Sequence, residues 1–246
     1  MCFKKTPRIL SIQSHVVSGY VGNKSAVFPL QLLGFEVDAI NSVQLSNHTG
    51  YKVFKGQVLN DKDLEELING LVQNNLDNYT HLLTGYVGSA SFLKKIAEVV
   101  RILKHKNPNL IYDAVSVLHK IGPQTVAVSS TEINDKLTAI ISTNKGNENK
   151  LIKINIPKIP ASFTGSGDLF AALFLAHTYL QNDIKTATEK TVNSLYSVLL
   201  KTYEYSEGIY KESQLARKIE LKLIQSKNYI ETPEICLFAE AIVSTN

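Results

Sequence analysis

Cysteine is scarce in this sequence, and no long hydrophobic run or flexible linker interrupts it. The two cysteines, Cys2 and Cys236, exclude a disulfide framework and a four-cysteine metal site and fit a reducing, cytoplasmic environment. The longest apolar run, Leu169–Ala176, is too short to cross a bilayer, and the N-terminus has no signal-peptide core. Because no stretch rich in Pro, Gly or Ser divides the chain, we expect a single α/β domain over residues 1–246.

Strong charge of either sign is also missing. Lys and Arg number 26 against 22 Asp and Glu, a net charge of +4. The lysines are scattered along predicted helices without interleaved aromatic residues, which argues against a nucleic-acid partner. No His, Cys or Asp cluster has the spacing of a zinc site, and no Walker P-loop occurs. We therefore expect small-molecule partners, with neither nucleic acid nor membrane among them.

Strand and helix patterns alternate through the first half of the chain, which is typical of a mainly parallel sheet covered by helices. The predicted strands span 8–14, 36–43, 81–86, 109–112 and 124–130, and the predicted helices span 22–33, 61–74, 91–106 and 114–120. Two further strands, 137–142 and 151–156, are predicted to form a hairpin. The remainder is predicted to be helical over 167–181, 184–205 and 214–225.

Small polar residues are concentrated where the predicted strands end, a position at which open α/β sheets bind ligands. The segments concerned are 13–22, 42–50, 84–88 and 129–132. Their hydroxyl, amide, imidazole and aromatic groups suit a small polar aromatic ligand. Taken singly, each residue has a structural alternative: Ser14 or Thr49 could cap a helix or turn, and Tyr86 could belong to the core.

The most informative segment is a glycine-rich turn, Gly165-Ser166-Gly167-Asp168, that leads into an apolar helix. The unpaired N–H groups and the dipole at such a helix start favour a phosphate group. Asp168 would repel phosphate unless it acts chemically, and the fitting role is to take a proton from an attacking hydroxyl. The alternative is that Asp168 only complements the helix dipole. Apolar spacing from Leu169 to Leu180 predicts one buried helix face.

Several segments together resemble the pyridoxal kinases of the ribokinase-like superfamily. The resemblance covers nearly the whole chain and rests on these stretches: Arg8–Asn23, Ser42–Tyr51, Lys55–Leu59, Thr84–Tyr86, Phe163–Ala171, Glu189–Val192, Gln225–Lys227 and Ile230–Ile235. It implies a ribokinase-like fold, a mainly parallel central sheet flanked by helices on both faces. It also implies transfer of phosphate from ATP to the 5′-hydroxymethyl of pyridoxal, pyridoxine and pyridoxamine. Mg²⁺ or Zn²⁺, K⁺ and a homodimer are further implications.

The resemblance also assigns roles to individual residues. Ser14 and Thr49 are expected to bond the polar groups of the pyridine ring, and Val43 and Tyr86 to pack on it; Leu45 replaces an aromatic residue frequent in the family. Asp168 is expected to be the general base. The residues expected at the nucleotide and its phosphates are Ser129, Ser130, Phe163, Thr164, Gly165, Ser166 and Gly167.

One departure from the family is large. A segment of several dozen residues, with metal–nucleotide carboxylates and a lid, is missing between Tyr112 and Asp113, so the metal ligands are unknown. Asp113 could replace one lost carboxylate or cap the next helix. A splice variant and a flawed gene model would both explain the gap. The alternatives to a working kinase are an impaired isoform that only binds vitamer or pairs with full-length subunits, and an unstable product.

Overall fold

A computed structural model describes residues 6–87, 89–108, 110–113, 124–133, 135–145, 148–209 and 215–242. The chain divides into two compact units, Met1–Ala114 and Val115–Asn246, and each of them contains a sheet of its own. The α/β class predicted from the alternation is confirmed. The expectation of a single domain stays a prediction.

The described residues of the first unit form five strands and three helices. In chain order these are β1 (Arg8–Val16), α1 (Asn23–Leu32), β2 (Glu36–Leu45), β3 (Gly56–Val58), α2 (Asp61–Gln73), β4 (His81–Thr84), α3 (Ala90–Lys106) and β5 (Ile111–Asp113). The sheet order is β3-β2-β1-β4-β5, and only β3 runs antiparallel to its neighbour. The parallel sheet predicted for the first half of the chain is therefore present in this unit.

Helices cover both faces of this first sheet. Leu10 and Ile12 of β1 join a buried cluster with Leu64 of α2 and Ile96 of α3. Ser11 lies between them in sequence and bonds a residue of α1 instead. Because successive side chains of a strand point to opposite faces, α1 lies on the face opposite α2 and α3.

Local capping explains where the two long helices of the first unit begin. Asn60 accepts hydrogen bonds from the backbone N–H groups of Lys62 and Asp63, and the Asp63 carboxylate accepts one from the Asn60 N–H. This capping box satisfies donors that the helix itself leaves free. Ser89 caps α3 in the simpler way, by accepting from the Phe92 N–H at 3.2 Å.

The second unit combines an antiparallel sheet with four α-helices and a 3-10 helix among its described residues. Its elements are β6 (Thr125–Ile133), β7 (Lys136–Lys145), β8 (Glu148–Ile156), α4 (Ser166–Leu180), α5 (Ile184–Ile209), α6 (Leu215–Lys218), a 3-10 helix (Ile224–Ser226), α7 (Lys227–Glu231) and β9 (Glu240–Ala241). The strand order is β6-β7-β8-β9, all antiparallel. The predicted hairpin is confirmed as β7 and β8.

Three predictions about this second unit were wrong. The segment 129–132 is not a loop, because β6 continues to Ile133 through an irregularity between Val128 and Thr131. Helix α4 does not bury one face only: every residue from Leu169 to His177 is buried, whereas Leu180 is 44% exposed. A helix surrounded by other elements shows no polar face, so the spacing of its apolar residues does not indicate which face is buried.

The predicted last helix, 214–225, was also wrong as a continuous element. Its described part is α6, followed by non-helical residues and the 3-10 helix. The helix predicted over 114–120 lies outside the described residues. Two predicted loops begin later than expected, because β1 continues to Val16 and β2 to Leu45.

Candidate active site

The carboxyl ends of β1, β2 and β4 lie at one edge of the first sheet. Strand β1 is central, with β2 on one side and β4 on the other. The strand order therefore runs outward from β1 in both directions, and β1 marks the topological switch point of the sheet. Open α/β sheets bind ligands at such a point. The Gly85 N–H, just after β4, donates to the Ile12 carbonyl at 3.2 Å, which holds the following Tyr86 beside the end of β1.

Ser14 and Val43 are direct partners across β1 and β2. Both side chains are half-buried, at the ends of their strands. Gly22 closes the site from the α1 side with φ +53°, and a Cβ atom there would lie 2.0 Å from the Ser14 carbonyl oxygen. Only glycine fits this approach. The structure thus brings together two of the four residues predicted for ring binding.

Thr49 projects from a turn that His48 holds in shape. The His48 side chain is buried, and its Nδ1 accepts a hydrogen bond from the Gly50 N–H at 3.2 Å. The His48 ring also meets Tyr51 edge to face at 4.8 Å between centroids. Thr49 itself is exposed, so its hydroxyl is available to a ligand.

Tyr86 is 70% exposed, which makes the core alternative for this residue wrong. An aromatic ring left in water at a strand end is free to pack on a flat ligand. Leu45, at the end of β2, is half-buried. Neither side chain is held in the core of the first unit.

A cation and an imidazole add to the electrostatics of this edge. Burial first, and the charge of Lys24 second, lower the pKa of His15 below its ordinary value. Lys24 is directed at the Val17 carbonyl and lies 5.6 Å from the centre of the Tyr20 ring. The positive charge of the Lys24 ammonium repels a protonated His15 and therefore favours the neutral imidazole.

In the second unit, α4 begins at Ser166, one residue before the predicted start, and directly follows Gly165. The Gly165 φ of 83° is left-handed, no side chain caps the helix, and Asp168 is the acidic residue of the first turn. Gly167 is exposed, and a Cβ atom placed on it would meet nothing within 4 Å. The helix start is thus open to a ligand of the size of a phosphate group.

The turn before α4 is fixed by its own backbone. Thr164 donates its N–H to the Ile219 carbonyl at 3.1 Å and forms an isolated parallel bridge with Glu220. Phe163 and Ser166 are half-buried beside it. Ser129 and Ser130, predicted to follow a strand, lie instead at the irregularity inside β6. The structure therefore joins the predicted residues from Phe163 to Asp168 in one turn.

Among the described residues, no group of three or more His, Cys, Asp or Glu side chains could hold a metal ion. The described residues thus supply no complete set of ligands for a resident metal. No helix in the described part of the chain is long and apolar enough to span a membrane.

The chain is similar over most of its length to proteins from distant organisms. A pyridoxal kinase of Arabidopsis thaliana is 41% identical over 295 aligned positions, covering 96% of this chain and 94% of the relative. The human pyridoxal kinase is 36% identical over 307 positions, covering 96% and 98%. This chain belongs to the pyridoxal kinase family. No protein-family profile matches it.

Solved structures of pyridoxal kinases agree with the fold. The Leishmania donovani pyridoxal kinase in complex with ADP and pyridoxine is 26% identical with a TM-score of 0.84, and covers 96% of this chain and 99% of its own. The predicted ribokinase-like fold class is thus confirmed for this chain. The aligned lengths of 295 and 307 positions exceed the 246 residues of the chain, in agreement with a missing internal segment. Strand β5, with Tyr112 and Asp113, contains the predicted junction.

The sequence reasoning missed a buried polar network behind Ser14. Asn23, Ser11 and Gln13 are almost fully buried and bonded to one another. The available signal was the sequence of β1, where Ser11 and Gln13 alternate with the apolar Leu10 and Ile12. Buried polar side chains on such a strand need partners, and Asn23 provides them.

Proposed function

We propose that this chain transfers the γ-phosphoryl group of ATP to the 5′-hydroxymethyl of pyridoxal, pyridoxine and pyridoxamine. The observation that carries the proposal is the start of α4, a left-handed glycine followed by a carboxylate in the first turn, in a chain that belongs to this family. The product is pyridoxal 5′-phosphate or its pyridoxine or pyridoxamine counterpart. Salvage of vitamin B6 is the corresponding cellular role.

For the vitamer, we propose that Ser14 and Thr49 bond the polar groups of the pyridine ring and that Val43 and Tyr86 pack against it. The pairing of Ser14 with Val43 supports this, since it places a hydroxyl beside an apolar surface. The exposure of Thr49 and Tyr86 supports it as well. Two polar contacts and two packing contacts suit a small heteroaromatic ring.

For the reacting groups, Asp168 is the general base that takes the proton of the 5′-hydroxyl as its oxygen attacks the γ-phosphorus. The bond from that phosphorus to the β,γ-bridging oxygen breaks, and ADP leaves. The backbone N–H groups from Gly165 to Gly167 stabilise the charge on the transferred group. Thr164 and Ser166 add donors, Phe163 lies at the adenine, and Ser129 and Ser130 bind nucleotide phosphates.

A divalent cation is proposed to arrive with the nucleotide. In kinases Mg²⁺ keeps several waters and is bound by substrate phosphates and one or two carboxylates rather than by a cage made only of protein ligands. This suits a chain whose described residues form no cage. Zn²⁺ is the proposed alternative ion. The family resemblance also proposes K⁺, for which no ligand residues are assigned.

A homodimer in the cytoplasm is the proposed state of the protein. Large apolar side chains near β3 are exposed and suit burial against a second copy: Val17, Val53, Phe54 and Val58. Cys236 is a free, exposed thiol, which fits a reducing compartment. The alternative of an impaired isoform that only binds vitamer is not favoured, because the relatives are catalytic by name over 96% of the chain.

The test is an assay of the purified chain with each vitamer and Mg·ATP, with the phosphorylated product detected directly. Product should form with pyridoxal, pyridoxine and pyridoxamine, and Asp168→Asn should lower its rate of formation by about 10²- to 10⁴-fold. A folded chain that phosphorylates none of the three would contradict the proposal. Size-exclusion chromatography with light scattering tests the dimer in the same preparation.

A further inference from the structure

Asn23 lies at the point where the alignment of β1 with β2 changes. Up to Gln13 the strands pair residue for residue, with Gln13 opposite Asn41. The next pair is Ser14 with Val43, so Ser42 is left out of the ladder. A bulge of this kind moves every later side chain of one strand by one position. Without the bulge, Ser14 would face Ser42, and Val43 would point away from it.

The side chain of Asn23 clamps both strands just before that bulge. Its Nδ2 donates to the Ile40 carbonyl at 2.9 Å and to Asn41 Oδ1 at 2.9 Å, both on β2. The same nitrogen lies 3.4 Å from the Gln13 carbonyl oxygen on β1. One amide group thus bridges the two strands whose alignment is about to shift.

The orientation of the Asn23 amide is itself fixed. Its Oδ1 accepts a hydrogen bond from Ser11 Oγ at 2.7 Å, and Ser11 Oγ accepts from Gln13 Nε2 at 3.0 Å. Asn23 is only 1% exposed. Because a reversed amide would direct its oxygen at the Ile40 carbonyl oxygen, the network permits one orientation only.

We infer that Asn23 is a positioning residue for vitamer binding, which it serves by holding the bulge that sets Ser14 beside Val43. This inference rests on the proposed function, since it takes Ser14 and Val43 as ring contacts. Asn23 does not touch the ring in this account. Its effect on affinity passes through Ser14.

The principal test is Asn23→Asp, which keeps the shape but replaces the donating nitrogen by an oxygen facing the Ile40 carbonyl. The pyridoxal dissociation constant, measured by titration calorimetry, should rise about tenfold, as expected for losing a hydrogen bond to the ring and packing against it. A folded Asn23→Asp chain with wild-type affinity would overturn the inference.

The chain offers a matched control in Asn193, a buried asparagine of the second unit. Its Nδ2 donates to the Glu189 and Leu237 carbonyls, and its Oδ1 accepts from the N–H groups of Cys236 and Leu237. Asn193→Asp should lower the free energy of unfolding in a comparable way and leave the pyridoxal dissociation constant unchanged. An equal loss of affinity in both variants would reduce Asn23 to a general stabilising role and overturn the inference.

A double-mutant cycle separates positioning from an independent effect. Ser14→Ala removes the ring contact directly, so adding Asn23→Asp to it should weaken binding by less than twofold more. Losses of affinity that multiply across the two substitutions would contradict action through Ser14.

If Asn23→Asp fails to fold, Ser11→Ala tests the same inference. Because this substitution releases the Asn23 amide, it should weaken pyridoxal binding about threefold. Wild-type affinity in Ser11→Ala would overturn the inference.

The wild-type titration distinguishes a failure of the proposed function from a failure of the inference about Asn23. A wild-type chain that binds no pyridoxal contradicts the proposed function, and the inference falls with it. A wild-type chain that binds pyridoxal, together with variants that bind it equally well, overturns the inference alone.

Discussion

Gly22 lies so close to Ser14 that a Cβ atom on Gly22 would stand 2.0 Å from the Ser14 carbonyl oxygen and 2.5 Å from its hydroxyl oxygen. The φ of Gly22, +53°, is also left-handed. Two separate constraints therefore require glycine at the start of α1, and one of them acts directly on a proposed ring contact.

Gly22→Ala should weaken pyridoxal binding by about 30-fold or more, a loss of roughly 2 kcal/mol. The reason is that the added methyl group must displace the end of β1. Gly34→Ala is the matched control, because Gly34 is also left-handed, with φ +88°, but a methyl group added there would meet no atom within 4 Å. Titration calorimetry should find near-wild-type affinity in Gly34→Ala; equal affinity losses in both variants would contradict the steric explanation.

Asp168→Asn should reduce the turnover number by about 10²- to 10⁴-fold while leaving pyridoxal affinity within about twofold. The amide keeps the shape of the first turn but cannot take the proton. Asp63→Asn is the control, since Asp63 is also a first-turn carboxylate, in the capping box of α2. If Asp168 merely complemented the dipole of α4, the two variants would lose similar, small amounts of stability and neither would lose turnover.

The free energy of unfolding should fall between pH 6.5 and pH 4 because of His177. This side chain is 2% exposed, its ring nitrogens have no hydrogen-bond partner among the described residues, and burial first, then Lys190, lower its pKa to about 4. The unfolded chain takes up the proton first as pH falls, so stability present above pH 6.5 is lost on acidification, by up to about 3 kcal/mol.

Urea unfolding at several pH values measures this dependence. His81 has the same property, with its pKa lowered to about 4 by burial, so His177→Leu should remove about half of the combined pH dependence. His105→Gln, at an exposed position of α3, should keep the wild-type slope. A His177→Leu chain with the full wild-type pH dependence would show that the proton is taken up elsewhere.

The chain should be only marginally stable and prone to aggregate unless a related subunit rescues it. The predicted gap falls in β5, which has three residues and lies at the edge of the first sheet in the described part of the chain. Backbone groups at a sheet edge invite pairing with other chains, and a domain has a net stability of only about 5–15 kcal/mol. A monodisperse protein with a cooperative melt well above about 65 °C would contradict this expectation.

Prediction from the sequence succeeded where a local residue pattern is compatible with only one kind of structure. Alternating strands and helices predicted the first unit, and the glycine-rich turn predicted the start of α4 to within one residue, at 167 against the observed Ser166. It failed for β6, which the alternation assigned to the parallel sheet but which pairs with β7 in the antiparallel sheet. The sequence of a single strand does not indicate whether its neighbour runs parallel or antiparallel. The prediction missed the clamp by Asn23, since the bulge at Ser42 depends on contacts between residues far apart in sequence.

The most direct test of the account is formation of pyridoxal 5′-phosphate by the purified 246-residue chain from pyridoxal and Mg·ATP, measured beside Asp168→Asn. We predict product well above the level of Asp168→Asn. The KM for ATP should be higher than in full-length relatives, because the missing internal segment is expected to include carboxylates that hold the metal–nucleotide. Pyridoxal binding without any product, in a chain that is folded and saturated with both substrates, would contradict the claim that this chain is a kinase.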